Sequence, residues 1–223
     1  MPDLAVFDLD YTLTKRGTWG RFVVQAVKFK PHIWLPLAIA AGVMQWKYKC
    51  GYVERIRVKQ AMMRWAFRDW PKERVISLAN DFAAKEVKTG LRPGALRALE
   101  HHQQNGDTIF IASAAVDVIV SAISVRLGVQ HWVATDMAWK DGKLSEEFAS
   151  ANCYGDEKLR RFKAYLDKNP DVKHNHTNIT MYSDSYSDLA IMQAAHVGIA
   201  VNPDKRLQAL AKEHNFAVVD WMV

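Results

Sequence analysis

Short apolar runs bounded by polar residues recur along most of the chain, and their length and composition predict buried strands. Between these runs, apolar residues return every three or four positions, which is the spacing of one helix face. The predicted strands are 4–7, 108–112, 131–135, 178–182, 197–201 and 216–220, and the predicted helices between them are 93–104, 115–127, 156–168, 187–194 and 204–214. This alternation predicts an α/β fold with a doubly wound sheet.

The alternation stops after Thr14 and resumes only at Gly90. The residues between have helical spacing, and the predicted helices there are 18–30, 32–47, 52–68 and 71–88. We therefore expect residues 1–14 and 91–223 to form an α/β core, and residues 15–90 to form a helical cap inserted after the first strand. A hairpin turn is predicted at Asp141-Gly142.

Two carboxylates, Asp8 and Asp10, follow the first predicted strand directly. Because side chains alternate along a strand, both point the same way at its carboxyl end, where open α/β sheets bind ligands. Carboxylates this close repel each other unless a cation lies between them or one keeps its proton. The pair therefore indicates a catalytic or metal site; a polar loop after a strand is the alternative.

Further polar groups stand at comparable places. Ser113 follows the second predicted strand, and Asp184 and Asp188 follow the fourth. Lys158 lies in the first turns of an amphipathic helix, where it works against the helix dipole, so another interaction must favour it. Ordinary alternatives remain open: an N-cap for Ser113, a solvated lysine for Lys158 and a helix-start acid for Asp188.

Four groups of residues in chain order resemble the four motifs of the haloacid dehalogenase (HAD) superfamily: Asp8, Ser113, Lys158, and the acids Asp184 and Asp188. The likeness covers nearly the whole chain. The insertion after the first motif is similar to the C1-type cap of subfamily IB, the phosphoserine-phosphatase-like branch. The resemblance implies a HAD-like, Rossmann-type core. It also implies magnesium-dependent hydrolysis of a phosphomonoester through an aspartyl-phosphate intermediate.

The resemblance also implies roles for individual residues. Asp8 would attack phosphorus, while Asp10 would protonate the leaving oxygen and then deprotonate the hydrolytic water. Asp8, the backbone carbonyl of Asp10 and Asp184 would bind Mg²⁺, whose preferred ligands are oxygens. Asp188 and Thr12 would support the metal site. The phosphate would be contacted by Ser113, Ala114 and Lys158.

Some positions depart from the commoner pattern of the superfamily. Tyr11, Ser183 and Ser185 stand where many relatives have glycine. None of these changes removes a ligand or the nucleophile. We expect a bulkier phosphate pocket as a result.

Charge is divided unevenly between the two predicted parts. The chain of 223 residues has a net charge of +6, but residues 15–90 hold 16 Lys+Arg and only 5 Asp+Glu. This cap also contains five of the eight tryptophans. A cationic cap over an acidic pocket favours an anionic substrate. The same positive charge also suits contact with anionic lipid headgroups. A third interpretation is that the charge is simply the basic outer face of a helical bundle.

The segment 31–46 contains no Asp, Glu, Lys or Arg and has lysines on both sides. It is too short for a bilayer span, which needs about 20 apolar residues, and Pro36 interrupts it. A buried cap helix and a helix lying in a membrane interface both remain open. The distant cysteines Cys50 and Cys153 and the lack of a signal-peptide pattern favour a cytoplasmic protein, with or without peripheral contact at the inner face of the membrane.

The substrate is the least defined feature. Phosphoserine phosphatases have an acid nine positions after the nucleophile that binds the substrate ammonium group; here that position is Gly17, beside the cations Lys15 and Arg16. This favours an anionic, lipid-linked phosphate such as phosphatidylglycerophosphate. Phosphoserine, histidinol phosphate and phosphocholine are the soluble alternatives.

Two other kinds of function remain open. The chain could be a non-catalytic basic protein that binds membrane or nucleic acid, although the complete set of motif residues favours catalysis and we expect no nucleic-acid partner. It could also transfer the phosphoryl group to an acceptor other than water, since the first half-reaction is the same.

Overall fold

A six-stranded parallel sheet forms the centre of the protein, with its strands in the order 131–135, 108–116, 4–7, 179–183, 197–201 and 217–219. The structure, a computed structural model, describes residues 2–222. The strands, including a separate antiparallel hairpin of β4 and β5, are β1 (Leu4–Phe7), β2 (Thr108–Val116), β3 (His131–Thr135), β4 (Met137–Lys140), β5 (Lys143–Phe148), β6 (Ile179–Ser183), β7 (Val197–Val201) and β8 (Ala217–Val219). The predicted α/β fold with a Rossmann-type sheet is confirmed.

Helices cover both faces of the sheet and fill the long insertion after β1. They are α1 (Thr18–Val27), α2 (Pro31–Lys49), α3 (Arg55–Ala66), α4 (Lys72–Lys85), α5 (Pro93–Gln104), α6 (Asp117–Leu127), α7 (Asp156–Lys168), α8 (Pro170–His174), α9 (Leu189–Ala194) and α10 (Lys205–Ala211). Short irregular helical turns occupy Leu9–Leu13, Glu86–Gly90 and Tyr186–Asp188. We call residues 15–90, which contain α1–α4, the cap.

The central strand β1 is completely buried, as its continuous apolar run predicts for a parallel sheet covered on both faces. On one face, Phe7 stacks on Tyr182 with 4.5 Å between ring centroids. On the other face, Val6 belongs to an apolar cluster with Phe110 and Phe162. Burial on both faces fixes the position at which β1 ends, and therefore the position of Asp8.

The cap has an aromatic centre. Phe22 of α1 stacks on Phe67 with a centroid distance of 5.3 Å and meets Phe82 of α4 edge-on. Trp19 also packs against Phe67. Phe22 and Phe67 are almost fully buried, and their apolar cluster is continuous with sheet residues such as Phe7 and Ile111.

The chain enters and leaves the cap through one short antiparallel pairing. Thr14 pairs with Leu91, Lys15 N donates to the Gly90 carbonyl (2.8 Å), and Arg92 N donates to the Leu13 carbonyl (2.9 Å). A second contact comes from the β4–β5 hairpin, because Leu144 N donates to the Trp70 carbonyl at 2.9 Å. The cap is thus hydrogen-bonded to the core at this pairing, which we call the hinge, and at the hairpin, and α4 also packs against α6.

Two predicted details differ. The helix expected at 115–127 begins at Asp117, because β2 continues through the small and apolar residues up to Val116. The short helix α8, which begins at Pro170, was not predicted because its five residues are too few to show helical periodicity. The hairpin turn at Asp141-Gly142 lies between β4 and β5 as predicted, with both residues at positive φ.

The helix α2 is not buried in the cap. Leu37 is its one buried residue, and Leu35 is 70% exposed. Of the two alternatives left open for this segment, a fully buried cap helix does not describe it, because α2 packs on α3 and presents much of its surface outward. None of the helices within residues 2–222 is both long and apolar enough to cross a bilayer.

Candidate active site

Asp8 stands directly after β1, at the carboxyl edge of the sheet, and its side chain meets a buried lysine. Lys158 Nζ in the first turn of α7 donates to Asp8 Oδ1 at 2.8 Å and to Asp188 Oδ2 at 2.7 Å. All three side chains are buried. The alternative of a solvated helix lysine at Lys158 is excluded, because the two carboxylates provide the interaction that offsets the helix dipole.

The charges of this buried group depend on each other. Burial raises the pKa of Asp8 well above its ordinary range; Lys158 opposes this shift, and repulsion from Asp188 and Asp184 adds to it. Burial alone would lower the pKa of Lys158, but the two carboxylates raise it above its ordinary value. Lys158 is therefore a permanent cation at the site.

Asp184 follows β6 and is oriented by a residue of the segment after Asp8. Thr12 Oγ1 donates to Asp184 Oδ1 at 3.0 Å and accepts from Asp184 N at 3.0 Å. Burial raises the pKa of Asp184 to about 6, although the hydrogen bond from Thr12 opposes the shift. Ser183, which stands where many HAD proteins have glycine, donates to Asp188 Oδ2 at 2.7 Å.

Asp10 is held by the cap. Its Oδ1 accepts a 2.8 Å hydrogen bond from the backbone N–H of Thr18, the first residue of α1. Helix N-termini carry unpaired N–H groups and favour anions, so the start of α1 is a suitable anchor for a carboxylate. Asp8 and Asp10 therefore face different partners, one in the core and one in the cap.

The backbone directly after Asp10 is fixed from the core. Tyr11 adopts a positive φ of 63°. Arg92 Nε donates to the Tyr11 carbonyl at 3.0 Å, and another nitrogen of the same guanidinium donates to Asn202 Oδ1 at 2.9 Å. Arg92 was not identified from the sequence, since a single arginine before a helix carries no motif.

Ser113 is buried but does not begin a helix. It lies inside β2, and its Oγ accepts a 3.1 Å hydrogen bond from Ala115 N. The N-cap alternative for Ser113 is therefore wrong, and the backbone N–H groups of a helix start are not beside it, because α6 begins four residues later at Asp117. The pairing of β2 with β3 shifts register between Ala112 and Val116, so this segment is irregular.

A second buried lysine, Lys59 of α3, reaches this segment from the cap. Its Nζ hydrogen-bonds the Ala114 carbonyl and donates to Asn152 Oδ1 at 2.8 Å. Thr135 Oγ1 donates to the same carbonyl at 2.9 Å. Burial lowers the pKa of Lys59 to about 8, although the nearby Asp10 opposes the shift. Sequence reasoning missed Lys59, because it is one of several cations on a helix with an ordinary amphipathic pattern.

A cleft of about 480 Å³ lies between cap and core beside these groups. Its charged lining residues are Asp10 from the core segment and Arg16, Arg21, Arg55 and Lys59 from the cap. Lys15 does not line it: the Lys15 ammonium donates to the Thr89 carbonyl at the hinge. Of the two cations predicted to meet the substrate, the structure therefore brings only Arg16 to the cleft.

The oxygen groups around Asp8 fit a hard cation. Asp8 and Asp184 are close enough to repel, and Asp188 Oδ1 is buried without a hydrogen-bond partner among the described residues. Within residues 2–222, no three His, Cys, Asp or Glu side chains are arranged to bind a metal by themselves. Carboxylate oxygens are ligands of the kind that Mg²⁺ prefers, and Mg²⁺ is commonly held by one or two carboxylates together with water and phosphate oxygens.

Comparison with known proteins defines the class. Residues 5–193 match the family of haloacid dehalogenase-like hydrolases. The chain belongs to this family, which confirms the resemblance predicted from the four motifs. The predicted class of enzyme, a phosphatase of this superfamily, is confirmed by this match together with the phosphatase relatives.

Individual relatives support the same placement. The chain is 22% identical to the histidinol-phosphatase of Neisseria meningitidis serogroup C (strain 8013), over 99% of this chain and 100% of that protein. The crystal structure of a protein of unknown function from Bordetella pertussis Tohama I has a TM-score of 0.86 at 21% identity, covering 99% of each chain. A substrate-bound phosphoserine phosphatase has a TM-score of 0.65 at 16% identity, over 100% of this chain and 94% of that chain. Other curated relatives are longer, and this chain spans about half of their length.

Proposed function

We propose that the protein is a magnesium-dependent phosphomonoester hydrolase that forms an aspartyl-phosphate on Asp8. The observation that supports this most directly is the buried contact between Lys158 and Asp8 at 2.8 Å. It places a permanent cation beside a carboxylate at the sheet edge, where an anionic phosphoryl group would otherwise be repelled. Structural support of the sheet alone does not require a buried lysine shared by two acids.

The proposed reaction has two displacements. A carboxylate oxygen of Asp8 attacks phosphorus, the bond from phosphorus to the ester oxygen breaks, and Asp10 donates its proton to that oxygen. Asp10 then removes a proton from water, the water oxygen attacks phosphorus, and the acyl phosphate bond breaks to restore Asp8. Ser113 and Lys158 would contact the phosphoryl oxygens throughout.

The metal would be bound by Asp8, Asp184 and the carbonyl of Asp10, with Thr12 and Asp188 supporting the site. When bound, Mg²⁺ supplies charge neutralisation for the phosphoryl oxygens and the nucleophile. Lys158 holds its charge near the same oxygens, and the hydrogen bond from Thr12 keeps Asp184 in one orientation.

Hydrolysis of p-nitrophenyl phosphate tests this chemistry. We expect phosphate release that requires Mg²⁺ and stops with EDTA, together with a phosphorylated peptide that contains Asp8 after acid quenching. A folded protein that neither hydrolyses the ester nor becomes labelled would favour the non-catalytic alternative. Transfer of the phosphoryl group to an added alcohol in preference to water would indicate a phosphotransferase.

The charges of the cleft suggest a class of substrate. Arg16, Arg55 and Lys59 line it, and Asp10 is the one carboxylate that lines it among the described residues. A substrate amine would therefore meet cations and no free acid, whereas a second anionic group would be attracted. We propose a phosphomonoester with an additional negative charge and no amine near it, although relatives carry the names of phosphatases for amine-containing substrates.

A matched pair of substrates separates these classes. Phosphoserine carries an ammonium group at the position where 3-phosphoglycerate carries a hydroxyl group. We expect a higher kcat/KM for 3-phosphoglycerate, and a smaller ratio in Arg16→Gln and Arg55→Gln. Preference for phosphoserine or histidinol phosphate would contradict the substrate class, while Mg²⁺-dependent turnover of any of them would still support the chemistry.

A lipid-linked phosphate such as phosphatidylglycerophosphate is a second candidate, with peripheral contact at an anionic membrane. It is favoured by α2, on which Leu35, Ile39, Val43 and Trp46 recur at helical spacing and are 47–70% exposed. No Asp or Glu occurs between Asp10 and Glu54. An apolar helix face without nearby acids suits an anionic interface.

Co-sedimentation with vesicles tests this candidate. We expect binding to vesicles that contain phosphatidylglycerol, release by salt, and loss of binding in a Leu35→Ser, Trp46→Ser variant with unchanged melting temperature. Val125→Ser, Val218→Ser on the core is the matched control, because both residues are exposed. A soluble substrate would be favoured if the wild-type protein does not bind these vesicles at low salt. It would also be favoured if the protein hydrolyses the deacylated headgroup as well as it hydrolyses the lipid.

A further inference from the structure

A groove of about 900 Å³ lies entirely within the cap, between α1 and α4. It shares Gly20 and Arg21 with the cleft beside Asp10 but has no residue from the core among its lining. Phe82 and Leu78 form part of its floor, and Phe29, which is 88% exposed, stands at its edge. The groove therefore offers an apolar surface that the proposed reaction does not use.

Two cations contact the buried indole of Trp70: Arg74, which lines the groove, and Lys30, which lies beside Trp70 but outside the lining. The Arg74 guanidinium carbon lies 3.9 Å from the centroid of the Trp70 ring, and Lys30 Nζ lies 4.8 Å from it. Of the ion pairs among residues 2–222, none includes Lys30 or Arg74. Partial burial lowers the pKa of Lys30, and Arg74 lowers it further. Two unneutralised cations in contact with one ring form a site that an anion would stabilise.

The rest of the lining keeps the groove cationic. Lys28 and Lys85 stand at its edge. Glu86 is neutralised by Arg21, whose guanidinium binds both of its oxygens at 2.6 and 2.8 Å. Asp81 is the other acid that lines the groove among the described residues, and it is exposed. An approaching anion therefore meets several cations and a single unpaired carboxylate.

We propose that this groove binds an anionic amphiphile. A phosphate, sulfonate or carboxylate headgroup would contact Lys30 and Arg74, and an apolar chain would lie along Phe29 and Leu78. The proposal does not depend on the reaction at Asp8. The occupant that we propose is a free amphiphile in solution, because the groove volume of about 900 Å³ lies within the range of small-ligand sites.

Calorimetric titration with decanesulfonate below its micelle concentration tests the proposal, because this probe contains no phosphoester. We expect binding to wild type, and at least about tenfold weaker binding to Lys30→Met, Arg74→Met. The matched control is Lys163→Met, Lys212→Met, which removes two exposed charges from the core and should bind like wild type. Melting temperatures of both variants verify that they fold.

Two further probes separate the headgroup from the chain. Butanesulfonate should bind more weakly than decanesulfonate, and Phe29→Ser should reduce this difference because it removes apolar contact. Decanol should bind much more weakly than decanesulfonate. Equal binding of decanol, or equal binding of decanesulfonate to the Lys30, Arg74 variant and to its control, would overturn the proposal.

Vesicles then identify the source of the anion. If the Lys30, Arg74 variant loses only decanesulfonate binding, the groove takes a free amphiphile, as proposed. If the variant also loses co-sedimentation with phosphatidylglycerol vesicles, the groove takes a lipid headgroup at the bilayer, and the proposed occupant is wrong.

Discussion

At the scale of single residues, the balance of charge around Lys158 determines what the site tolerates. One ammonium group faces two buried carboxylates, Asp8 and Asp188. A buried ion that loses its partner destabilises a protein more than a buried neutral group does. Substitution of an acid and of the lysine should therefore affect stability in opposite ways.

Asp8→Asn should abolish turnover without loss of stability. The amide cannot attack phosphorus, but its oxygen still accepts a hydrogen bond from Lys158. Because burial raises the pKa of Asp8, the charged carboxylate is costly there, and a neutral side chain removes that cost. Steady-state hydrolysis of p-nitrophenyl phosphate and thermal unfolding measure the two effects. Turnover near that of wild type would rule out the covalent mechanism.

Lys158→Met should reduce both activity and stability. It leaves Asp8 and Asp188 buried and unpaired, and breaking a buried ion pair in this way typically costs about 3–5 kcal/mol. The control is Lys163→Met, an exposed position on the same helix, which should change neither quantity. Chemical denaturation measures the free energy of unfolding. A stable, inactive Lys158→Met protein would show that Lys158 acts in catalysis without supporting the fold.

At the scale of secondary structure elements, the first turn of α1 orients the proposed acid. The Thr18 N–H that binds Asp10 belongs to the first helical residue, where proline is tolerated because that N–H has no partner within the helix. Gly17 before it has an extended backbone, which a following proline requires. The donor can therefore be removed without removing the helix.

Thr18→Pro should lower kcat for alkyl phosphates by about tenfold and affect aryl phosphates less, because an activated leaving group needs less protonation. Thr18→Val is the control: it keeps the N–H and removes a hydroxyl that has no partner among the described residues. Asp10→Asn gives the upper limit of the loss, about 10²–10⁴-fold for general acid catalysis. Equal losses on both classes of ester would contradict the proposed role of Asp10.

How far the sequence predicts these elements depends on the separation of the interacting residues. Asp8, Ser113 and Asp184 were identifiable because each belongs to the end of an apolar run, which is a local pattern. Lys59 meets Ala114 and Asn152, which are 55 and 93 positions away, and nothing in its own helix indicates those partners. The irregular end of β2 was likewise missed, since Ser113 before an apolar stretch also matches an N-cap pattern.

At the scale of the whole molecule, the cap is strongly basic and the core is acidic. Residues 15–90 hold 16 of the 30 Lys+Arg and 5 of the 24 Asp+Glu. The excess of cations in the cap could be predicted from the sequence. Which cations line the cleft and which line the groove could not be predicted, because that depends on the side of α1 that each cation faces. The charge lining the cleft should act on substrate binding over a range set by the ionic strength.

We expect kcat/KM to fall with added salt, and to fall more steeply for 3-phosphoglycerate than for p-nitrophenyl phosphate, because the former carries one more negative charge. Kinetics at constant Mg²⁺ and increasing KCl measure this. Arg16→Gln with Arg55→Gln should flatten the dependence. Identical slopes for both esters would show that the cleft does not distinguish a second anionic group.

The hydrogen bond from Thr18 to Asp10 makes the position of α1 part of the proposed chemistry. Asp10 is oriented by α1, whereas Asp8 and Lys158 are held together within the core. Under the proposed chemistry, an ester that leaves α1 in place meets both the nucleophile and an aligned proton donor. An ester that displaces α1 meets the nucleophile and a misaligned acid. The protein would then distinguish esters by the rate at which the ester bond breaks as much as by the affinity with which each ester binds.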